Sequence, residues 1–332
     1  MRRRIALSVA LALTSAAAVT SLGQDRLPGT LFSKCDAIRI EFILGRIAVI
    51  PQHRGQVRVA TPPDDLAGPH ESLVVNNDEA SPVVRYQFTA DRQSLELEVM
   101  NYREVHLRAQ RGNEDSSRSI EFHQPLQGDL EVVVQHGTER RAIKAPSFWH
   151  LMLTERNLCE TELVPCLEAF RPGWHLVDLT EQLEAGLFHT ALSKPLVPRR
   201  YLAELVGQLD SPQFQKRQQA DSQLRSCGPS ALPFLDSMTR QSLSREQRMR
   251  IERIRRSIAG AATDSPARTA EWLGDDEHIW FALLKHADPQ RRHLAAIRLN
   301  AMRSKSLEFD PYGEESYRQE QLAQLQSQLI RR

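Results

Sequence analysis

Apolar and polar side chains alternate with a period of two from residue 36 to about residue 144. In the first such run Ile38, Ile40 and Phe42 alternate with Arg39 and Glu41. Alternation of this kind is typical of half-buried strands with one face toward water. Roughly eight to ten short strands at about ten-residue spacing predict a sandwich, a barrel or a small β-solenoid, and the pattern does not choose among them. The same alternation recurs in residues 57–59, 95–99, 105–107 and 129–135.

The spacing of apolar residues becomes helical after residue 145. Ser147 is a favourable N-cap for the first predicted helix, and no strand pattern follows it as far as residue 332. The chain is therefore predicted to be α+β, with a β-rich domain over 30–144 and a helical domain over 146–332. The first predicted helices cover 148–156, 159–170, 179–192 and 200–209.

Residues 210–258 have the clearest helical pattern. Ser211 is expected to cap a helix with Pro212 at its first position, where a missing N–H costs nothing. That helix should end before Gly228, and two more are predicted over 230–240 and 245–258. Each of the three presents one apolar face, which it can bury only by stacking against its neighbours.

These helices resemble a HEAT-like repeat of the type often attached to exported bacterial proteins. The resemblance covers residues 199–258 and implies an α-solenoid of helical hairpins. It also implies that Arg217 packs its stem inside the repeat and pairs with an acid, for which Asp210, Asp221 and Asp236 are candidates. The motif residues are Phe214, Arg217, Ala220, Leu224 and Gly228, followed by Ala231, Leu232, Pro233 and Leu235.

Two further segments, 148–153 and 280–299, resemble weaker units of the same repeat. Three stacked units suffice for a stable solenoid, and the β-rich domain is placed at one end of it. Trp149 and Trp280 are interpreted as core residues of these units; the alternative is an aromatic groove for a ligand. Residues 36–144 also bear a faint likeness to adhesin-type β domains, without a diagnostic motif.

The N-terminus has the three-part pattern of a secretory signal peptide. Arg2, Arg3 and Arg4 precede an uncharged apolar stretch over 5–19 and then small residues. We assign 1–23 to the signal peptide, with cleavage expected after Ala18 or after Gly23, giving a periplasmic or extracellular protein. The alternative, an uncleaved anchor, would need about 20 apolar residues to span a bilayer.

Charge and composition give little reason to expect a nucleic-acid partner. The chain carries a net charge of +1, and residues 1–23 contain three arginines and no acid, so the remainder carries 1 − 3 = −2. A nucleic-acid-binding domain usually has a strongly basic balance. No apolar stretch after the leader is long enough to cross a membrane.

The cysteines leave one question open. On one continuous helix Cys159 and Cys166 would lie about 10.5 Å apart, beyond the Cα separation of about 7 Å that a disulfide tolerates. A bridge would therefore require Pro165 to break the helix. The other two cysteines are Cys35 and Cys227.

No catalytic, phosphate-binding or zinc-binding motif occurs in the sequence, so no catalytic residue, cofactor or metal is predicted. His286 and His293 are interpreted as solvated helix residues. The acidic trio 275–277 could bind a cation, but acids entering a helix are also stabilised by its dipole. A rival hypothesis gathers His106, His123 and His136 around a pocket in the β part.

The strongest charge feature is the predicted basic helix over 244–258. Arg248, Arg250, Arg253 and Arg256 form the candidate interaction surface; the alternative is an ordinary solvated face. Such a surface would suit an acidic protein, a phospholipid headgroup or a cell-wall polymer. We therefore expect an exported, non-enzymatic interaction or scaffold protein that binds a partner protein in the cell envelope. The rival is an envelope enzyme, or a subunit of one, whose site is assembled only in the fold.

Overall fold

The computed structural model describes most of the chain after the predicted leader, which lies outside the described residues. It covers residues 29–60, 69–77, 82–90, 92–112, 117–193, 197–238, 243–260, 262–303 and 307–330. An antiparallel β region is followed by a helical region, so the α+β prediction is confirmed. Within the described residues, no helix combines the length and the hydrophobicity needed to cross a bilayer.

The strands form a hairpin and one large sheet. Strands β1 (Ile38–Ile43) and β2 (Arg46–Pro51) make the hairpin, and eight strands form the sheet in sequential order. Every pairing in the sheet is antiparallel, so its topology is a meander and not the parallel stack of a β-solenoid. The eight strands are β3 (Gln56–Ala60), β4 (His70–Asn76), β5 (Val83–Ala90), β6 (Gln93–Met100), β7 (Glu104–Arg111), β8 (Arg118–Gln124), β9 (Leu130–His136) and β10 (Glu139–Ala145).

The period-two pattern buries one face of the sheet and leaves the other toward water. On β6, for example, Leu95, Leu97 and Val99 are buried, whereas Glu96 and Glu98 point the other way. A sandwich would require a second sheet of comparable size, but the only other described sheet is the β1–β2 hairpin. Helices contribute to covering the buried face.

Helices occupy the rest of the described chain. A π-helical turn at Cys159–Leu163 leads directly into the next α-helix, and Pro165 lies within that helix's first turn, where it breaks nothing. The helices are α1 (Thr30–Ser33), α2 (Phe148–Thr154), α3 (Arg156–Leu158), α4 (Val164–Phe170), α5 (Leu176–Ser193), α6 (Arg199–Gln208), α7 (Phe214–Ser226), α8 (Leu232–Met238), α9 (Arg245–Ala259), α10 (Pro266–Leu273), α11 (Glu277–Leu283), α12 (Pro289–Arg303) and α13 (Glu315–Ile330).

Two hydrophobic cores hold these elements together. The larger core joins the sheet and the β1–β2 hairpin to α1, α2, α4, α5 and α10–α13. Phe42 on β1 stacks on Phe148 at 4.5 Å and on Trp174 at 4.7 Å between ring centroids. Trp149 and Trp280 are both buried, as predicted. The smaller core is built mainly by α6–α9, the segment that resembles a repeat, although Leu232 of α8 belongs to the larger core and Ile258 of α9 packs against both.

Asp264 fastens the β1–β2 turn to the helical region. Its carboxylate accepts hydrogen bonds from the backbone N–H groups of Leu44 (2.8 Å) and Gly45 (2.6 Å) and from Nε1 of Trp149 (2.8 Å). Its own N–H donates to the carbonyl of Phe42 at 2.8 Å. Asp264 therefore ties the hairpin to α2, although it lies 220 positions after Leu44 and 115 positions after Trp149.

Candidate interaction surface

Helix α9 carries the arginines that the sequence singled out. It begins with a capping box, in which the hydroxyl of Ser244 accepts from the N–H of Gln247 and the side chain of Gln247 accepts from the N–H of Ser244. Ile251 and Ile254 are fully buried against the smaller core. The opposite side of the helix consequently faces water.

The four candidate arginines differ in how far their side chains are exposed on that side. Arg248 and Arg253 are exposed and make no ion pair with a described residue. The side chain of Arg256 is 74% exposed, and it lies 3.5 Å from Glu252. Arg250 is different, because its side chain is only 13% exposed and its Nε lies 2.6 Å from Glu246. It contributes little to the open surface.

Five exposed residues and the half-buried Glu252 follow helical spacing and form one continuous strip, which we call the α9 face. Met249 lies within it and is 56% exposed. Four arginines against one glutamate give the strip a formal charge of 4 − 1 = +3. The α9 face consists of Arg245, Arg248, Met249, Glu252, Arg253 and Arg256.

Some of the motif residues that suggested a repeat lie in the core, and others are exposed. Leu224 is fully buried, Pro233 is half-buried, and Gly228 has φ of +64°, a conformation that favours glycine. Phe214 is 62% exposed and therefore not part of the core. The predicted cap was also wrong: α7 begins at Phe214 after Gln213, and Ser211 precedes it in a turn.

Among the residues that the structure describes, Arg217 pairs with no acid, contrary to the expectation. Its Nη1 donates to the carbonyls of Ser211 (2.7 Å) and Pro212 (3.1 Å), so it closes the turn before α7 instead. Each of the three acids proposed as its partner contacts a different side chain instead. Asp210 accepts from Ser244, Asp221 pairs with Arg225, and Asp236 pairs with Arg255.

Ser147, His150 and Asp276 are linked in the manner of a catalytic triad. The hydroxyl of Ser147 lies 2.7 Å from Nδ1 of His150, and Nε2 of the same ring lies 3.1 Å from a carboxylate oxygen of Asp276. However, Ser147 is 1% exposed and His150 is 4% exposed. A nucleophile must reach its substrate, and this hydroxyl is enclosed at the N-terminus of α2, where it caps the helix as predicted. The arrangement joins the first turns of α2 and α11.

The three acids of the trio are largely buried, and each contacts a basic side chain. Asp276 is the N-cap of α11 and accepts from the N–H of His278 at 2.8 Å. Burial favours a higher pKa for Asp276, but the hydrogen bond and the charge of His150 outweigh it and hold the pKa at about 2. Asp275 pairs with Arg298 at 2.8 Å, and Glu277 pairs with Arg303 at 2.7 Å. The sequence predicted the helix start but not these partners.

The structure brings together two of the three histidines of the rival hypothesis. His106 and His123 stack face to face across β7 and β8, with ring centroids 4.2 Å apart and planes at 23°. Glu104 joins them, with an oxygen 3.9 Å from Nε2 of His106. His136 lies elsewhere, 3.6 Å from Glu162. Desolvation, followed by the facing His106 ring, lowers the pKa of His123.

The remaining candidates do not assemble into a site. His286 contacts Glu184 at 2.9 Å, whereas His293 packs beside Tyr312, so the two do not share a partner. Cys159 and Cys166 are free thiols on a continuous helical run, and burial raises the pKa of each to about 12. They are therefore poor nucleophiles.

Comparison with known proteins gives no match: no family model, no curated protein and no solved structure resembles the chain. The likeness to HEAT-like repeats thus stays a prediction that rests on the motif residues of 199–258. The same holds for the likeness of 36–144 to adhesin-type domains. Function has to be argued from the surfaces described above.

Proposed function

We propose that this chain is an exported, non-enzymatic interaction protein whose α9 face binds an acidic partner protein in the cell envelope. The observation that carries the proposal is the strip itself, with Arg248 and Arg253 exposed and not paired to a described acid. An unpaired guanidinium offers several donors in a fixed planar arrangement, which matches a carboxylate. The expected partner is therefore acidic.

Met249 gives the strip an apolar element between its charges. Arginine and methionine are both enriched in protein–protein interfaces relative to the rest of the surface. Charged residues at the rim of such an interface mainly speed association and select the partner. A strip with both properties favours a protein surface over a bare polyanion.

The proposal also assigns a role to the architecture. We place α6–α9 in a short α-solenoid of HEAT-like hairpins, with the sheet packed at its end. Support comes from the smaller core, which α6–α9 mainly build, and from the apolar side of each of these helices. Stacked hairpins create extended binding faces without a reaction centre.

The rival hypothesis, an envelope enzyme or a subunit of one, has weaker support. Ser147, His150 and Asp276 have catalytic residue types, but the hydroxyl is enclosed. His106 and His123 lie on the water-facing side of the sheet, where they line no described pocket with His136. Neither group offers both a reactive atom and a place for a substrate.

Charge reversal on the α9 face tests the proposal. Purified protein is immobilised and exposed to an envelope extract, and recovery is compared between the wild type and the double variant Arg248→Glu/Arg253→Glu. Each exposed ion pair is worth up to about 1 kcal/mol, and reversal adds repulsion. We therefore expect recovery of the specific partner to fall at least about tenfold, since about 1.4 kcal/mol corresponds to that factor.

Arg200→Glu is the matched control, because this arginine is 92% exposed on α6 but already pairs with Glu204. The amount of partner that this control variant recovers should stay close to the wild-type value. Equal recovery by the wild type and the double variant would exclude the α9 face as the binding surface. A parallel assay with anionic lipid vesicles separates a protein partner from a membrane surface: binding to vesicles alone, lost in the double variant, would favour the lipid.

A further inference from the structure

We propose that Glu104, His106 and His123 form a binding site for a divalent transition-metal cation of the Zn²⁺ class on the water-facing side of the sheet. The site is distinct from the α9 face and does not depend on it. Its three ligand atoms, one from each side chain, all lie within 4.8 Å of one another. The three side chains are half-buried and therefore still reachable from solvent.

The sheet fixes the three residues in place. His106 on β7 and His123 on β8 are direct register partners, so their side chains leave the sheet side by side. Glu104 comes two residues before His106 on the same strand, and side chains two apart share a face. Strands β7 and β8 lie inside the eight-stranded meander, with paired strands on both sides. A site on such strands is more rigid than one on loops.

The separations suit a metal after small side-chain rotations. Zn²⁺ binds imidazole nitrogen and carboxylate oxygen at about 2.0–2.2 Å, which places tetrahedral ligand atoms about 3.4 Å apart. The His106 nitrogen and the Glu104 oxygen are 3.9 Å apart, and no pair exceeds 4.8 Å. Half-exposed side chains can close this difference without moving the backbone.

Carboxylates flank the histidine pair on both sides. Glu98 on β6 is the register partner of His106, and Glu131 on β9 is the register partner of His123. Carboxylates beside metal-binding histidines orient the rings and raise their basicity. Arg85 holds Glu98 at 2.7 Å and Lys144 lies 3.8 Å from Glu131, so both carboxylates are anchored from outside. The row across the sheet reads Arg85, Glu98, His106, His123, Glu131 and Lys144.

The ligand set selects the class of cation. Two imidazoles and one carboxylate suit Zn²⁺, Cu²⁺, Ni²⁺ or Co²⁺, whereas Mg²⁺ and Ca²⁺ prefer oxygen ligands alone. Three glutamates against one arginine and one lysine leave this patch with a formal charge of 2 − 3 = −1 when the imidazoles are neutral. Three protein ligands also leave a coordination position for water or for a group of another molecule.

Metal titration tests the site, with Co²⁺ as a spectroscopic probe and Zn²⁺ as its competitor. We expect purified protein to take up one equivalent of Co²⁺, with a visible absorption band that Zn²⁺ removes. His123→Gln should weaken binding at least about tenfold, because one of three ligands is lost. His136→Gln is the matched control on the same sheet, and its affinity should stay within about twofold of the wild type.

Glu104→Gln provides a second variant that leaves the ring stacking intact, in case His123→Gln perturbs the sheet. It too should weaken Co²⁺ binding several-fold. Zn²⁺ should raise the melting temperature of the wild type and of His136→Gln more than that of His123→Gln, since a ligand that binds only the folded state stabilises it in proportion to its affinity. The proposal is overturned by no saturable binding at micromolar metal, or by equal affinity of the wild type and of both ligand variants.

Discussion

Single residues explain how distant helices are joined in this molecule. Ser147 could be predicted as a cap from its position before an apolar helix, and the structure confirms it. Its connection through His150 to Asp276 could not be predicted, because the hydrogen bond between these two side chains spans 126 positions and leaves no local pattern. The partners of Arg217 could not be predicted either, because this side chain binds two backbone carbonyls in the turn before α7 and not the expected acid.

Replacing Asp276 by Asn tests the buried pair. Asparagine keeps the N-cap but removes the charge that His150 contacts. A carboxyl pKa of about 2 against an ordinary value of 3.8 corresponds to roughly 2 kcal/mol at neutral pH. We expect Asp276→Asn to lower the free energy of unfolding by about that amount, measured by urea denaturation. Asp178→Asn is the control: its side chain is 68% exposed beside His175, so its effect should be within about 0.5 kcal/mol.

The same pair predicts a pH dependence. Because the pKa of Asp276 is depressed in the folded state, the unfolded chain takes up the proton first as the pH falls. The stabilisation is therefore complete above about pH 5 and is lost between about pH 4 and pH 2. The difference between the wild type and Asp276→Asn should shrink over that range. A difference that stays constant down to pH 2 would contradict the assignment.

At the scale of elements, the sequence predicted whether a segment is a helix or a strand better than it predicted where that element begins or which elements it contacts. The period-two pattern located the strands because one face of the sheet is buried and the other is wet. The pattern could not predict the order of the strands in the sheet. That order depends on contacts between strands, and the pattern within one strand does not contain them. Ser211 and Pro212 have the signature of a helix start, yet α7 begins two residues later, at Phe214, and Arg217 binds the carbonyls of Ser211 and Pro212.

Gly45 tests how the β1–β2 hairpin docks on α2. It has φ of +65°, and an added Cβ would lie 2.6 Å from Cβ and Oγ of Ser147 and 2.9 Å from Cδ1 of Trp149. Gly137 has a similar φ of +58° but nothing within 4 Å of an added Cβ. Both alanine variants incur backbone strain of about 1–2 kcal/mol, and only Gly45→Ala must also displace a packed helix. We expect Gly45→Ala to lower the free energy of unfolding by about 2 kcal/mol more than Gly137→Ala does. Equal effects would show that the hairpin does not dock there.

At the scale of the whole molecule, the sheet and most of the helices share one core, whereas α6–α9 build most of a second, smaller core. The sequence predicted where strands give way to helices, but helix periodicity alone cannot tell which faces meet the sheet. It identified the basic helix and could not show that Arg250 is covered by its pairing with Glu246. The pairing of His106 with His123 was equally hidden, because strand register brings together residues from separate strands.

Site-specific photo-crosslinking from the α9 face tests the central claim most directly. A photoreactive residue replaces Met249, and the same residue at Val59, which is 42% exposed on β3, serves as the control. In an envelope preparation the Met249 position should give one discrete adduct with an acidic protein, which added salt weakens and Arg248→Glu/Arg253→Glu abolishes. No adduct from this position, or the same adducts from Val59 or in the double variant, would contradict the account.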